Sequence, residues 1–346
     1  MALERSVLNH EVIAKLLREH YCINAISSKK LKLGSANCYK VYDGDKFYFL
    51  KEFQNRFKAE DLVREYDLTE FLAIHGFPVA RFVRTLSGQP SVIYKDHVIC
   101  IEEYIDGLAY GYDNFPSSLL SQSAMTLGKL HSVLRDYPLP SGMDEEWIAS
   151  YSADSYIKKY DELQTVADLC PEDKNYARIT EDLTYKKGLA YRCDEYRKFY
   201  TGITYVSTHG DYQGCQLICS ESSIKAVIDF SSARRLPAVW ELMRSYVQSC
   251  EDCRVGSKIN IQKLCEYVAE YMKCFPLTKA DLRSMPYVYL FQLARSQFGY
   301  PQYLSGDSED REGLLKFAFW RTDMCRELEH NAETISQELI KLTRFS

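Results

Sequence analysis

The sequence predicts an α+β chain in two parts, a strand-rich N-terminal third followed by a mainly helical remainder. Three observations predict it. Short β-prone runs crowd residues 31–53, with Asp43-Gly44, a hairpin turn signal, between two of them. Apolar residues recur at helical spacing in 118–134, 258–274, 279–300 and 311–343. One hairpin pattern interrupts the helical part: Leu217–Cys219, a Glu221-Ser222-Ser223 turn, and 224–228 ending at Asp229.

In chain order, Val7, Leu8, Val12, Ile13, Leu16 and Leu17 predict a helix over 5–20. Strand runs follow at 31–33, 38–42 and 46–53. Gly34, Ser35 and Ala36 are small enough to bring backbone N–H groups against phosphates, and equally suit an ordinary β-turn. Lys51 lies in the apolar strand FYFLKEF, where a cation needs a partner or a ligand. Residues 59–75 read as a helix stopped by Gly76, with Glu65 in its second turn. Residues 78–82, Ser91–Tyr94 and 98–105 are strand-like, the last leading to Asp106-Gly107. Residues 118–134 read as a long helix carrying Leu127-Gly128-Lys129-Leu130-His131, with His131 a packing residue. Residues 147–160 and 172–197 read as helices whose charge runs, Lys186-Lys187 among them, are solvated faces. Pro276, Pro286 and Pro301 punctuate the last helices. The Tyr-rich stretch 287–303 reads equally as core or as the floor of a substrate pocket.

The chemistry concentrates in THGDYQGCQLICSESSIKAVIDF, residues 208–230. A hairpin of this length sets Gln216 and Asp229 side by side at its open end, with Asp211 on the loop just before. Converging oxygen donors at strand ends suit a hard cation such as Mg²⁺ together with a base for a hydroxyl nucleophile.

HGDYQGCQLI followed by AVIDF resembles the catalytic and metal motifs of the aminoglycoside phosphotransferase and choline kinase family. FLKEF with VREYDLTEFL, and LGKLH, resemble its partner motifs. The family pattern has Asn where this chain has Gln216. The resemblance implies a bilobal protein-kinase-like fold: residues 1–102 an N-lobe, 103–107 a hinge, 108–346 a helical C-lobe. It implies ATP and Mg²⁺, with transfer of the γ-phosphate to a small-molecule alcohol. Lys51, paired with Glu65, then orients the phosphates under the Gly34-Ser35 loop. The backbone of Glu103 and Ile105 meets the adenine. Gln216 and Asp229 hold metal, and Asp211 is the catalytic residue. The Gln keeps open a nucleotide-binding pseudokinase or a spore-coat-type structural relative. A protein substrate is disfavoured, because too few residues separate Asp229 from the helix beginning near Trp240 to form an activation segment.

Composition bounds the alternatives. A 346-residue chain can bury two sizeable cores. A net charge of -5 argues against a nucleic-acid or polybasic membrane partner. No run approaches the ~20 apolar residues of a membrane span, and the N-terminus lacks a signal-peptide core. The twelve Cys are scattered among apolar neighbours, and Cys250-Glu251-Asp252-Cys253 lacks a second pair with zinc spacing, so a reducing, cytoplasmic location is expected. Oligomeric state is not encoded in any of these features.

Overall fold

A computed structural model describes residues 4–31, 36–111, 114–139, 151–306 and 310–344. The α+β architecture is the one the sequence predicts: a small antiparallel sheet in the N-terminal region and a helical C-terminal part. By internal contacts the chain divides into two units, residues 1–109 with 216–233, and residues 110–215 with 234–346.

In the first unit, helix α1 (His10–Tyr21) precedes strands β1 (Ser27–Leu31), β2 (Asn37–Tyr42) and β3 (Phe47–Glu52). Helix α2 (Ala59–Ile74), β4 (Ser91–Tyr94), β5 (His97–Glu103) and β6 (Leu108–Ala109) follow. Five strands form one sheet in the order β1-β2-β3-β5-β4, every pairing antiparallel. Because side chains alternate across a strand, β5 buries two faces at once. Ile99 and Ile101 pack with Leu50, Val41 and the α1 residues Ile13, Leu16 and Leu17. Val98 and Cys100 pack on the other face with Leu62 and Tyr66 of α2. Lys51 is one residue from Leu50 and therefore faces the α2 side.

The helix predicted over 5–20 begins later, at His10, capped by Asn9 through its bond to the Val12 amide. The preceding residues turn aside because the Val7 amide donates to Glu52 Oε1 at 2.8 Å. Gly76 ends α2 with φ +73°, and the Phe77 amide closes back on the Leu72 carbonyl. Residues 78–82 make only the single bridges Val79–Val227 and Phe82–Glu102 rather than a strand. The hairpin of β8 (Leu217–Cys219) and β9 (Ile224–Val227), with β6 beside β8, belongs to this unit.

The second unit is helical: α3 (Leu120–Val133), α4 (Ala153–Ala167), α5 (Tyr176–Tyr196), α6 (Ala238–Ser249), α7 (Glu251–Gly256), α8 (Ile261–Met272), α9 (Lys279–Arg295), α10 (Tyr300–Ser305) and α11 (Arg311–Ile340). A two-stranded ribbon pairs β7 (Tyr205–Thr208) with β10 (Arg234–Pro237). The start of the helix predicted from 147 lies outside the described residues. Two expectations are corrected. Pro286 lies inside α9 rather than ending it, because that helix is buried along most of its length and tertiary packing outweighs the lost backbone bond. Lys186 is no solvated charge: it is 1% exposed, and its Nζ donates to the carbonyls of Leu293 at 2.5 Å and Ser296 at 3.3 Å, adding a side-chain donor to the end of α9, where the Ser296 amide already caps Leu293. The stretch 287–294 is largely core. All twelve cysteines are free thiols, with Cys250 and Cys253 buried at the start of α7. Among the described residues, no helix is long and apolar enough to cross a membrane.

Candidate active site

In the first unit, antiparallel register sets Lys51 opposite Cys100 and Phe49 opposite Glu102. Lys51 and Glu102 are therefore diagonal neighbours on one face of the sheet, a spacing long side chains can bridge. Lys51 Nζ lies 2.7 Å from Glu102 Oε1, a close ionic contact. Glu65 faces the same side from α2 and is 5% exposed, but it is not the direct partner of Lys51. Its Oε1 accepts from the Phe230 amide at 3.1 Å, tying α2 to the residue after Asp229. The expected Lys51–Glu65 pair is thus replaced by Lys51–Glu102, because β5 brings a carboxylate closer than α2 does.

The charges do not balance. Burial alone would lower the Lys51 pKa, yet the charges of Glu102, Glu65 and Asp229 hold it well above its ordinary value. Burial pushes Glu65 up to about 7; Lys51 opposes this, while Glu102 and Asp229 add to it. Glu102 and Asp229 already outnumber the one ammonium, and Glu65, raised towards neutrality, takes up either a proton or a share of a further cation.

The hairpin sets the two candidate metal donors, Gln216 and Asp229. The Ile228 amide donates to the Gln216 carbonyl at 3.0 Å, which seats Gln216 across from the residue before Asp229. Asp229 holds φ +63°, ψ 68°, a left-handed conformation uncommon outside glycine, and its Oδ1 accepts from the Ser231 hydroxyl at 2.7 Å. Backbone conformations of this kind concentrate where a side chain must be aimed. Among the described residues, no group of three or more His, Cys, Asp or Glu is arranged to hold a metal ion. An Asp carboxylate with a Gln amide oxygen still fits Mg²⁺, which takes one or two protein oxygens and completes its shell with phosphate and water. Gly34 and Ser35 lie outside the described residues. The Glu103 amide is committed to the Arg81 carbonyl at 2.8 Å, and Ile105 follows in the link to β6.

In the second unit, His209-Gly210-Asp211 leaves the end of β7, with Gly210 at φ +80°. A fully buried carboxylate, Glu241 on α6, organises this loop. It accepts from the His209 amide at 3.0 Å, the Gly210 amide at 2.6 Å and His131 Nε2 at 3.0 Å. His131 is fixed in turn by the Tyr271 hydroxyl at 2.6 Å. Burial would raise the Glu241 pKa, but these bonds and the nearby imidazoles hold it below its ordinary value. Three residues on, and hence on the same side of α6, Arg244 is ion-paired to Asp211 Oδ1 and donates to the Tyr212 carbonyl at 3.4 Å. Gln213 Nε2 donates to Asp211 Oδ2 at 3.0 Å, so both carboxylate oxygens are oriented. Sequence reading missed Glu102, Glu241 and Arg244. The available signal was two charges three residues apart within an otherwise apolar helix, AVWELMRSYV.

Comparisons with known proteins bear on the family and the fold. The family model described as Phosphotransferase enzyme family matches residues 29–256. An aminoglycoside phosphotransferase structure from Alicyclobacillus acidocaldarius is similar with a TM-score of 0.67 at 15% identity, covering 97% of each chain. A microcompartment-associated aminopropanol kinase gives 0.61 at 17% identity, covering 96% of this chain and 99% of that one. An amicoumacin kinase solved with AMP-PNP and Ca²⁺ gives 0.61 at 14% identity, over 91% and 93%. No curated protein sequence matches the chain. With the family model spanning more than half of its length, the chain belongs to the phosphotransferase enzyme family.

Proposed function

We propose that this protein is an ATP-dependent kinase that moves a γ-phosphate to a hydroxyl group of a small molecule. The observation that carries the reading is the unbalanced cluster of Lys51, Glu65, Glu102 and Asp229, a cation-seeking group on the same face as the strand lysine. In this reading residues 1–102 hold the nucleotide, 103–107 form the hinge, and 108–346 carry the catalytic loop and acceptor site. Neighbouring folds support the nucleotide, since a spectinomycin phosphotransferase was solved with ADP and the amicoumacin kinase with AMP-PNP.

Lys51, held by Glu102, orients the α/β-phosphates as a point charge. Asp229 and Gln216 hold Mg²⁺, which when bound neutralises phosphate charge. With the Glu103 amide committed to Arg81, Ile105 is the hinge donor to adenine. Asp211, oriented by Arg244 and Gln213, accepts the proton of the acceptor hydroxyl as its oxygen bonds to the γ-phosphorus. The bond from that phosphorus to the β–γ bridging oxygen breaks, and ADP leaves. Phe230–Ser232 and β10 fill the chain between Asp229 and α6, which supports a small acceptor over a folded protein substrate. Gln216 in place of Asn favours one second reading, a nucleotide-binding pseudokinase.

The test is ADP release from Mg·ATP by the purified protein with aminoglycosides, choline and homoserine as acceptors, beside thermal shifts with Mg·ATP. Acceptor-dependent ADP release supports the kinase. Mg²⁺-dependent stabilisation by ATP without turnover supports the pseudokinase. Absence of any such stabilisation overturns both, since a ligand that binds only the native state must stabilise it.

A further inference from the structure

Arg321 on α11 is half-buried, yet no described carboxylate pairs with it and no described group accepts a hydrogen bond from its guanidinium. Its one side-chain contact of note is the Phe317 ring, 5.5 Å from the guanidinium carbon. Its neighbours are not treated this way. Arg326, five residues on, pairs with Asp182 at 2.9 Å, and Arg192 and Lys258 reach Glu329 and Glu327 of the same helix. A guanidinium carries five donors, and leaving them without acceptors in a partly dehydrated place is costly unless a ligand supplies them.

Two further observations locate that ligand. Helix α9 packs against both α6 and α11. On it, Tyr289 is fully buried with a hydroxyl that has no hydrogen-bond partner, and the charges of Arg244 and Arg321 both act on that phenol. Arg244 is also felt by Arg321, and burial lowers the Arg321 pKa. Arg321 is therefore in electrostatic reach of the arginine that holds Asp211. Asp211 keeps 31% of its side chain exposed, so it remains open to a bound molecule, while Arg244 behind it is 13% exposed.

We propose that the acceptor is a hydroxylated acid, a small alcohol bearing a carboxylate or phosphate group that Arg321 holds while the hydroxyl is presented to Asp211. This rests on the reading of Asp211 as the proton acceptor. A polycationic acceptor such as an aminoglycoside would instead bring ammonium groups towards two guanidiniums, one of them with no carboxylate among the described residues to offset it. Planar two-point bonding to an acid oxygen pair is the contact for which Arg is suited over Lys.

The test uses the full chain saturated with Mg·AMP-PNP and titrated calorimetrically. The probes are homoserine and its neutral-headed counterpart 2-amino-1,4-butanediol, glycerol 3-phosphate and glycerol, and kanamycin. The expected result is that one acid binds about 10- to 100-fold more tightly than its matched alcohol, the range of a charge-assisted bond. Arg321→Ala removes that advantage and Arg321→Lys keeps part of it. In turnover the loss appears mainly in KM. The pair that shows the advantage separates a carboxylate acceptor from a phosphate one. The proposal is overturned if no acid exceeds its alcohol, if kanamycin binds best, or if Arg321→Ala weakens AMP-PNP itself, which would assign the guanidinium to the nucleotide. Stabilisation by Mg·AMP-PNP without acid preference leaves the kinase reading standing and removes this one. Acid preference in a protein that binds no nucleotide removes the kinase reading and the acceptor role with it, and leaves only an acid-binding site at Arg321.

Discussion

Lys51 is ion-paired to Glu102 on the neighbouring strand, at 2.7 Å, while Glu65 on α2 holds the amide of Phe230. The strand lysine is thus fixed within the sheet, and the helix carboxylate is given to the segment that carries Asp229. Positioning of the ammonium and positioning of the Asp229 segment are separate tasks, done by separate acids.

Nucleotide binding should follow that division. Lys51→Ala removes the charge that the proposed function sets against the phosphates and should weaken Mg·AMP-PNP by about tenfold or more. Glu102→Gln should weaken it less, since the ammonium stays but loses its anchor. Glu65→Gln should act through Asp229, raising the Mg²⁺ concentration needed rather than changing Mg²⁺-free binding. Thermal-shift titrations of the three variants against nucleotide and Mg²⁺ decide this, and equal loss in all three would refute the division.

At the hairpin mouth, Asp229→Asn should damage both Mg·nucleotide binding and turnover, because the proposed charged metal ligand is lost. Gln216→Asn restores the residue usual in the resembling family and should keep at least partial turnover, whereas Gln216→Ala should lose most of it. Steady-state rates over a Mg²⁺ series provide the check. Unchanged turnover in Gln216→Ala would remove that side chain from the metal site.

Glu241 carries a pH dependence whose sign is fixed. Its pKa lies below the ordinary carboxylate value in the folded chain. Its stabilising contribution is therefore present above the unfolded carboxylate pKa and is lost as pH falls through the folded one. Glu241→Gln should cost about 1–3 kcal/mol at neutral pH, because its amide NH₂ would face one of the donors that now meet a carboxylate oxygen. It should also flatten the acid limb of stability. Urea unfolding across pH 3–8 reads both effects.

Gly128→Ala should destabilise by about 1–3 kcal/mol. An added Cβ would stand 2.5 Å from the Tyr271 carbonyl oxygen and 3.1 Å from Cys274 Cβ, so α3 and α8 would have to part. The same displacement would move Tyr271 off His131, so turnover should fall along with the melting temperature. A melt unchanged from wild type would contradict the close packing of these helices.

What was legible in the sequence was local. Asp211, Gln216 and Asp229 fall within one short loop-and-hairpin whose spacing alone brings the last two together. Lys51 stood out because a cation in an apolar strand demands an explanation. Glu241 and Arg244 left only the signal of two charges in an apolar helix, and their roles and that of Glu102 were not legible, because their partners are tens of residues away and only the sheet register and the packing of α6 bring them in. Lys186 was misread for the same reason: its acceptors, the carbonyls of Leu293 and Ser296, lie far along the chain at the end of α9. Pro286 shows the converse, a strong local signal overridden by burial.

The most direct measurement is single-turnover transfer by Asp211→Asn beside wild type, with nucleotide affinity measured on the same samples. The substitution keeps the shape but removes the base and its charge pairing with Arg244. The predicted result is Mg·AMP-PNP affinity close to wild type and a rate lower by about two orders of magnitude or more. Transfer by Asp211→Asn at the wild-type rate would contradict the account, because the loop held by Glu241, Arg244 and Gln213 would then not be the catalytic one.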